Sequence, residues 1–488
     1  MFYNRLRELA FLEQLQTRSH PGPGQLVLLY GRRRVGKTAL LRHWAEQSGL
    51  PWVYWMAQRE PAALQRRRLT AALLGRNPAA LDTPTFESWP DLWDAAARIL
   101  GERRQIMLLD ELPYAAEADS AMLSALQYAW DIHFQQSQVI LVLCGSHVRS
   151  METLLTQQSP LFGRMTGQWQ LQPLSFGCLP LFFPTWSAEE LVATYAILGG
   201  VPAYLSWLNP SWSLSENIRR QILAPGSLAM GEVELLLYDD VREPRSYLGI
   251  LQAIGNGAHT LTEIAQSTLI ATTNLSPYLA QLQELRLIER RIPATIKPAQ
   301  RQRSKQGRYH LVDPFHRFYF RFLQPNQAEI SYQPDRVVPL IQQGLRAFVG
   351  STAWEDLARQ WVWQSGMERS LAFVPEVIGS HWSRTVQADV VAINWTSRHI
   401  LIGECKWGTD AVDRQIVGDL LERTLPQTLA ALPEQGVGWQ VVPMLFARAG
   451  ATPAAQRLLA DAGGRLIDLA TLVDSLTAAE RTHHGAGS

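Results

Sequence analysis

Apolar runs alternate with amphipathic stretches through the first third of the chain. The amphipathic stretches predict helices from the loop after residue 30 to about Gln47, at 64–74 and at 89–100. The apolar runs predict strands at 25–30, 51–57, 105–111 and 138–146. Strands that alternate with helices indicate a parallel sheet covered by helices on both faces. We therefore predict an α/β fold for this part.

The pattern becomes mostly helical after this sheet. Helical periodicity continues through 176–240, and three short helices are predicted within 245–292, followed by a basic segment. Residues typical of a linker occur near Pro325 and at 333–335. We therefore expect a boundary between folded parts at about residues 325–335.

The last third returns to a mixture of helices and strands. A helix begins near residue 340, and helices are again predicted up to about residue 477. The strands predicted between them are 371–375, 387–394 and 399–405. The complete pattern predicts folded parts at 1–175, 176–240, 241–325 and 335–477, and a disordered tail at 478–488.

Composition excludes several classes of protein. The 488 residues are 47% apolar and 18% charged, as in globular chains of three or four domains. The net charge of +1 does not by itself indicate a nucleic-acid partner. Cys144, Cys178 and Cys405 are too far apart for a disulfide scaffold or a zinc finger, which favours a reducing cytoplasm. Neither a signal peptide nor a membrane-spanning segment is predicted, so we expect a cytoplasmic protein with no membrane partner.

Lysine is rare in this chain. Only four of the 45 basic residues are lysine, namely Lys37, Lys297, Lys305 and Lys406. Because arginine supplies positive charge elsewhere, each remaining lysine calls for a chemical explanation.

Residues 31–38, GRRRVGKT, match the phosphate-binding pattern G-x-x-x-x-G-K-[ST]. Gly31 and Gly36 allow backbone amides to surround a phosphate, and Arg34 is assigned to the same nucleotide site. Lys37 would contact the β- and γ-phosphates of ATP, and Thr38 would coordinate Mg²⁺. The alternative is an accidental glycine-rich turn, which the strand before the loop and the helix after it disfavour.

Two acids end the third predicted strand. Asp110 would hold Mg²⁺, and Glu111 would orient or activate the attacking water. Carboxyl ends of parallel strands lie beside the phosphate loop in such a sheet. Ser146, at the end of the next strand, is predicted to sense the γ-phosphate. The alternative for the two acids is a helix N-terminus, where carboxylates are favoured.

Residues 245–292 have the helix pattern of a helix-turn-helix, and a basic wing follows. Residues 286–321 contain ten basic and two acidic residues. A basic wing beside a recognition helix suits contacts with DNA phosphates. Winged helices also serve as protein-interaction modules, and that alternative stays open.

The last third contains acids arranged around a rare lysine. Glu355 lies on a predicted helix, Asp389 lies at the start of a strand, and Glu404 and Lys406 point to one face of the next strand. The three acids could chelate Mg²⁺ with help from the carbonyl of Cys405, while Lys406 positions water or stabilises charge in phosphodiester hydrolysis. A salt-bridged pair of strands is the alternative.

With these motifs the chain resembles the AAA-type ATP-binding proteins of archaea and bacteria that carry a winged helix and a C-terminal nuclease-like domain of the PD-(D/E)xK type. The resemblance covers nearly the whole chain and rests on Arg5, Glu8–Leu9, 30–38, Asp110–Glu111, 144–146, 160–164, 198–204, 309–315 and 403–407. It implies a P-loop ATPase core at 1–175, a helical lid at 176–240, a winged helix at 241–325 and a restriction-endonuclease-like domain at 335–477.

The resemblance also changes two residue assignments. It makes Arg164 a candidate arginine finger that acts on a neighbouring subunit, which implies a homo-oligomer. Gln387, two residues before Asp389, departs from the more acidic pattern of the relatives, which implies a weaker metal site.

The function predicted from these parts is an ATP-hydrolysing protein that acts on DNA, with Mg²⁺-dependent phosphodiester cleavage gated by the ATPase. Defence or mobile-element processing would suit it. The alternative is a nucleotide-dependent switch that binds DNA or a partner without cleaving it.

Overall fold

A computed structural model describes residues 3–18, 23–77, 79, 82–241 and 243–485. The chain divides into two compact units, Met1–Leu174 with Val201–Ala203, and Ser175–Gly200 with Tyr204–Ser488. The sequence predicted four folded parts, but the last three belong to one unit.

The first unit is built on a parallel sheet. Within its described residues the strand order is β2–β3–β4–β1–β5, and all neighbouring strands are parallel. The strands are β1 (Gln25–Tyr30), β2 (Trp52–Met56), β3 (Gln105–Asp110), β4 (Val139–Gly145) and β5 (Gly167–Gln170). This confirms the predicted α/β class and the four predicted strands, while the short strand β5 was not predicted.

Helices cover both faces of this sheet. Leu26 and Leu28 face one apolar core, whereas Val27 and Leu29 face the other, as the alternation of side chains along a strand requires. The helices are α1 (Leu6–Thr17), α2 (Lys37–Gln47), α3 (Ala62–Leu73), α4 (Trp89–Leu100), α5 (Leu112–Ala118), α6 (Ala121–Ala129) and α7 (Val148–Thr153).

The second unit begins with helices, as predicted. They are α8 (Leu179–Phe182), α9 (Ala188–Leu198), α10 (Pro202–Leu205, which starts in the first unit), α11 (Leu214–Asn217), α12 (Leu228–Asp240), α13 (Pro244–Gly255), α14 (Leu261–Thr268) and α15 (Thr272–Glu284). Helices α13 to α15 are the three predicted short helices. An antiparallel hairpin follows them, formed by β6 (Ile288–Arg291) and β7 (Arg308–Leu311), with α16 (Pro298–Arg301) between its strands.

Helix α18 (Gln327–Tyr332) occupies the predicted linker. Helix α17 (Pro314–Phe318) precedes it, and α19 (Val337–Val349) and α20 (Glu355–Met367) follow it. Helix α9 packs against both α17 and α19, which explains why no domain boundary falls at residues 325–335.

A mixed sheet completes the second unit. Within the described residues its order is β12–β11–β10–β9–β8; β8, β9 and β10 are antiparallel neighbours, and β10, β11 and β12 are parallel. The strands are β8 (Val377–Trp382), β9 (Gln387–Asn394), β10 (His399–Lys406), β11 (Gln440–Ala447) and β12 (Arg465–Asp468). Its remaining helices are α21 (Arg414–Asp419), α22 (Leu425–Leu429), α23 (Pro453–Asp461) and α24 (Leu469–Gly485).

Three predictions for this region need correction. The strand predicted at 371–375 is wrong, because the run ends in Pro375, which has no amide to donate, and pairing begins at Val377. Strands β11 and β12 lie where helices were predicted. Helix α24 includes residues 478–485, which the sequence predicted as part of a disordered tail, whereas 486–488 lie outside the described residues.

Among the described residues, no helix combines the length and the apolar character that crossing a membrane would require.

Candidate functional site

The loop between β1 and α2 has a backbone that depends on its glycines. Gly36 has φ +92°, and a Cβ atom on Gly31 would lie 2.3 Å from the carbonyl oxygen of Leu171. Arg34, assigned to the nucleotide site, also has a positive φ of 68°. This conformation leads into the N-terminus of α2, where backbone amides favour an anion.

Lys37 is folded over this loop. Its Nζ donates to the carbonyl oxygens of Gly31 at 2.9 Å and Arg32 at 3.0 Å, and the residue is buried. Burial lowers the pKa of Lys37, while nearby Glu111 and Asp110 oppose that effect. A phosphate would offer this ammonium charged acceptors in place of neutral carbonyls, and charge-assisted hydrogen bonds are stronger.

The structure brings the two predicted Mg²⁺ ligands of this site together. Thr38 Oγ1 donates to Asp110 Oδ2 at 2.6 Å. Tyr54, which the sequence analysis missed, donates to the same oxygen at 3.1 Å. Burial, and then the charge of Asp110, raise the pKa of Tyr54, so its hydroxyl stays a donor. The sequence shows a tyrosine on β2, but it does not show that β2 lies next to β3, so the contact with Asp110 could not be predicted.

Glu111 and Ser146 also meet. Ser146 donates to Glu111 Oε2 from its hydroxyl at 2.9 Å and from its amide at 3.2 Å. Glu111 has φ 49° and ψ 41°, a left-handed conformation that is costly for a residue with a Cβ atom. The predicted water-activating carboxylate is therefore held by the predicted γ-phosphate sensor.

Arg164, the candidate arginine finger, has other partners in this subunit. Its guanidinium donates two hydrogen bonds of 2.7 Å to the carboxylate of Asp131. It also donates to the carbonyl oxygens of Pro160 and Phe162. The hydrogen bonds to Asp131 raise the pKa of Arg164. No described contact joins Arg164 to the phosphate loop of its own chain.

The acids predicted in the last third lie on three neighbouring elements. Glu404 and Lys406 share one face of β10, and Lys406 Nζ donates to Glu404 Oε1 at 2.7 Å. Asp389 lies on the adjacent strand β9, where its Oδ2 accepts from the amide of Cys405 at 3.0 Å. The ion pair between Glu404 and Lys406 is the contact that the salt-bridge alternative predicted.

Glu355 is the first residue of α20 and is largely buried. Arg359, four residues later, contacts Glu355 at 3.4 Å and also donates to the carbonyl oxygen of Asp389 at 2.7 Å. Burial, and then the negative charge of Asp389, raise the pKa of Glu355 to about 8. Burial and Asp389 also raise the pKa of Glu404, although its bond to Lys406 acts in the opposite direction.

The predicted three-carboxylate metal site needs correction. Across the described residues no group of three or more His, Cys, Asp or Glu side chains is arranged to hold a metal ion. Glu355, Asp389 and Glu404 therefore do not form a three-carboxylate site; Asp389 and Glu404, which contact the Cys405 amide and Lys406, are the two acids on neighbouring strands.

An arginine cluster beside these acids was missed by the sequence analysis. Asp356 accepts from Arg317 at 2.9 Å and from Arg359 at 2.7 Å, and Arg291 lies 3.6 Å away. Burial raises the pKa of Asp356, but the three arginines outweigh it and hold that pKa below its usual range. The cluster joins the hairpin and α17 to the helix that carries Glu355.

The glycine-rich loop, its lysine and the Thr38–Asp110 pair at the end of a parallel sheet define a P-loop ATPase. Residues 2–208 match an ATPase domain predominantly from Archaea, and residues 319–417 match a domain described as archaeal and bacterial proteins of unknown function. An uncharacterized protein of Methanocaldococcus jannaschii is 31% identical over 419 residues, which cover 85% of this chain and 89% of that protein. The chain therefore belongs to this family of archaeal-type ATPases.

Two solved structures are similar to part of the chain. The Walker-type ATPase of Pyrococcus abyssi matches 66% of this chain and 96% of its own, with 23% identity and a TM-score of 0.47. The ORC2 protein of Aeropyrum pernix, solved as ADPNP–ADP complexes, matches 70% of this chain and 93% of its own, with 14% identity and a TM-score of 0.44.

Proposed function

We propose that this ATPase acts on DNA and that its C-terminal sheet, as a nuclease of the PD-(D/E)xK type, cleaves phosphodiester bonds. One observation carries the proposal: a cavity of about 520 Å³ is lined by Arg308, Arg317 and Arg321 together with Glu355. Helices α13 to α15 with the β6–β7 hairpin act as the winged helix in this proposal. Its basic segment would bind phosphates beside the candidate cleavage site.

The donor set near Glu355 fits a hard divalent cation held by few protein ligands. Mg²⁺ keeps several waters and is bound by one or two carboxylates together with substrate phosphates. Asp389, Glu404 and the carbonyl of Cys405 would hold it, and the ion would lower the pKa of its bound water. The raised pKa of Glu404 agrees with this assignment, because a cation would relieve the repulsion from Asp389.

Lys406 would stabilise the charge that develops on the phosphate. Its ammonium is bound to Glu404 and is only half-buried, so it can reach a substrate from the C-terminal end of β10. Gln387, which stands where the resembling family is more acidic, lines the cavity with Glu355. We expect it to bind a phosphate or sugar oxygen through its amide rather than a metal.

The ATP site would gate this chemistry. In the proposal, Lys37, Thr38 and Asp110 hold ATP and Mg²⁺, and Glu111 activates water. Hydrolysis would then change the arrangement of the protein on DNA and permit cleavage.

The test is DNA cleavage with Mg²⁺ or Mn²⁺, with and without ATP. Wild type should cut DNA, and Glu404→Ala should not. Cleavage by Lys37→Ala should not increase when ATP is added. Glu422→Ala, a charge removal in the same sheet domain but outside the proposed ligand set, is the matched control and should cut like wild type. If wild type cuts no form of DNA while it still hydrolyses ATP, the nuclease proposal is wrong.

The Glu404–Lys406 ion pair favours a second candidate function, a nucleotide-dependent switch that binds DNA or a partner without cutting. ATP-dependent binding without cleavage, unchanged in Glu404→Ala, would support that function instead.

A further inference from the structure

Two neighbouring cavities share a wall in the second unit. The first contains Arg321 and Glu355 in its lining. The second, of about 860 Å³, lies along the hairpin and contains Lys305 and Arg384 in its lining. Arg308 and Trp382 line both cavities, so the two spaces meet at this pair. We call the two cavities together the hairpin groove.

The hairpin groove is basic along its length. Among the described residues that line it, Glu355 is the one acid, and it contacts Arg359, which also donates to Asp389 of the proposed cleavage site. Arg291 is paired with Glu289 and Asp356, and Arg317 is paired with Asp356. By contrast, the structure describes no carboxylate in contact with Lys305, Arg308, Arg321 or Arg384, which also line the groove. Their charge is therefore available to an anionic ligand.

Contacts around Arg308 fix the position of its guanidinium in the groove. Its guanidinium lies 4.9 Å from the centre of the Trp382 ring, and Trp382 Nε1 donates to the carbonyl oxygen of Gln306. The hairpin is also attached to the sheet by the amide of Ala294, which donates to Ser380 at 2.9 Å. These contacts hold Arg308 at the junction of the two cavities.

The two histidines of the groove add no charge. His259 and His310 stack with ring centres 4.3 Å apart. Burial, and then the charge of Arg291, lower the pKa of His310 to about 2, and burial lowers the pKa of His259. Both stay neutral near pH 7, so the positive charge of the groove comes from arginine and lysine.

We propose that the hairpin groove binds a single DNA strand and leads it past Arg384, Arg308 and Arg321 to the proposed cleavage site. This inference rests on the proposed function and names its substrate class. Cavities of a few hundred Å³ hold molecules of drug size, which is the scale of a nucleotide rather than of a duplex. A basic groove that follows the backbone is how proteins bind single strands without sequence preference.

The test is binding without cleavage. Fluorescence anisotropy in EDTA compares a labelled strand of about 16 nucleotides, the upper end of the site size of single-strand-binding folds, with the duplex of the same sequence. The single strand should bind more tightly. Arg321→Ala and Arg384→Ala, both exposed side chains, should weaken it and should each reduce the slope of log K against log salt by about 0.7.

Lys297→Ala is the matched control, because Lys297 belongs to the same basic segment but lines a different cavity. It should leave single-strand affinity unchanged. Equal or tighter binding of the duplex, or unchanged affinity in both arginine variants, would overturn the proposal. An RNA strand of the same sequence is the further arm, and tighter binding of RNA would overturn the assignment to DNA.

The outcome separates this inference from the proposed function. Tight single-strand binding that depends on Arg321 and Arg384, without any cleavage in Mg²⁺, would support the groove and reject the nuclease. Cleavage of duplex DNA that is indifferent to both arginines would support the nuclease and reject the groove.

Discussion

The hydroxyl of Ser146 donates a hydrogen bond of 2.9 Å to the carboxylate of Glu111, from the end of one strand to the end of its neighbour. Glu111 is the residue that the sequence assigns to water activation, and Ser146 is the one assigned to the γ-phosphate. A nucleotide that engages Ser146 would therefore compete for this hydroxyl and free an oxygen of Glu111 for water.

We expect Glu111→Gln to bind ATP but to lower kcat for ATP hydrolysis by about 10²–10⁴-fold, the usual contribution of a general base. Ser146→Ala should cause a smaller loss, because it removes one phosphate contact and leaves the carboxylate in place. Glu117→Gln, on an exposed position of α5, is the control and should leave kcat unchanged. Steady-state ATPase assays with a separate measurement of ATP binding check this; equal kcat in Glu111→Gln and wild type would contradict the assignment.

Tyr54→Phe tests the residue that the sequence did not indicate. The variant deletes the hydroxyl that donates to Asp110 at 3.1 Å and leaves the ring in place. Because hydrogen bonds to charged groups contribute about 1.5–3 kcal/mol, we expect the free energy of unfolding to fall by an amount of that order. Urea unfolding measures it. Tyr128→Phe, at an exposed ring, should show no change, and a Tyr54→Phe variant as stable as wild type would show that the bond contributes nothing.

Arg164 is predicted to act on the nucleotide of another subunit. Mass photometry with a slowly hydrolysed ATP analogue should then show an assembly of at least two subunits, and Arg164→Ala should lower kcat by about 10³-fold or more. Asp131→Asn is the informative partner variant, because it removes the bidentate ion pair of Arg164 but keeps the arginine. It should retain ATPase activity. If Arg164→Ala and Asp131→Asn lower kcat equally, the ion pair is responsible for the loss and Arg164 is not an arginine finger.

Glu355 makes stability depend on pH in a defined direction. Its pKa is about 8 in the folded chain against an ordinary value of 4.5, so between these values the folded state binds more protons than the unfolded state. Stability should therefore fall as pH rises from 4.5 to about 8. Asp356, whose pKa lies below its usual range, stays ionised in both states throughout this window.

Glu355→Gln should remove this dependence, since the amide cannot ionise. The variant should be more stable than wild type at pH 8, and the difference should shrink towards pH 5, as measured by urea unfolding at both values. Glu368→Gln, at the exposed end of the same helix, should follow wild type. A constant difference between Glu355→Gln and wild type at all pH values would show that Glu355 is ionised throughout.

The sequence by itself determined the features that depend on neighbouring residues. The glycine-rich loop, the strand 25–30 and the helix 89–100 were all visible, because a phosphate loop needs particular residues in a row and a buried strand needs a continuous apolar run. The pairs Thr38–Asp110 and Glu404–Lys406 followed from general rules, since parallel strands end at one edge and alternate residues share a face.

Tertiary structure alone decided what depends on distant segments. Asp356 has partners on the hairpin, on α17 and on its own helix, and no local pattern encodes such a cluster. The same origin explains the different partners of Glu355, Asp389 and Glu404. It also explains the unpredicted strands β5, β11 and β12 and the groove through Arg308. Packing places these segments side by side, and side-chain partners are set by the free energy of the whole core rather than by the sequence around each residue.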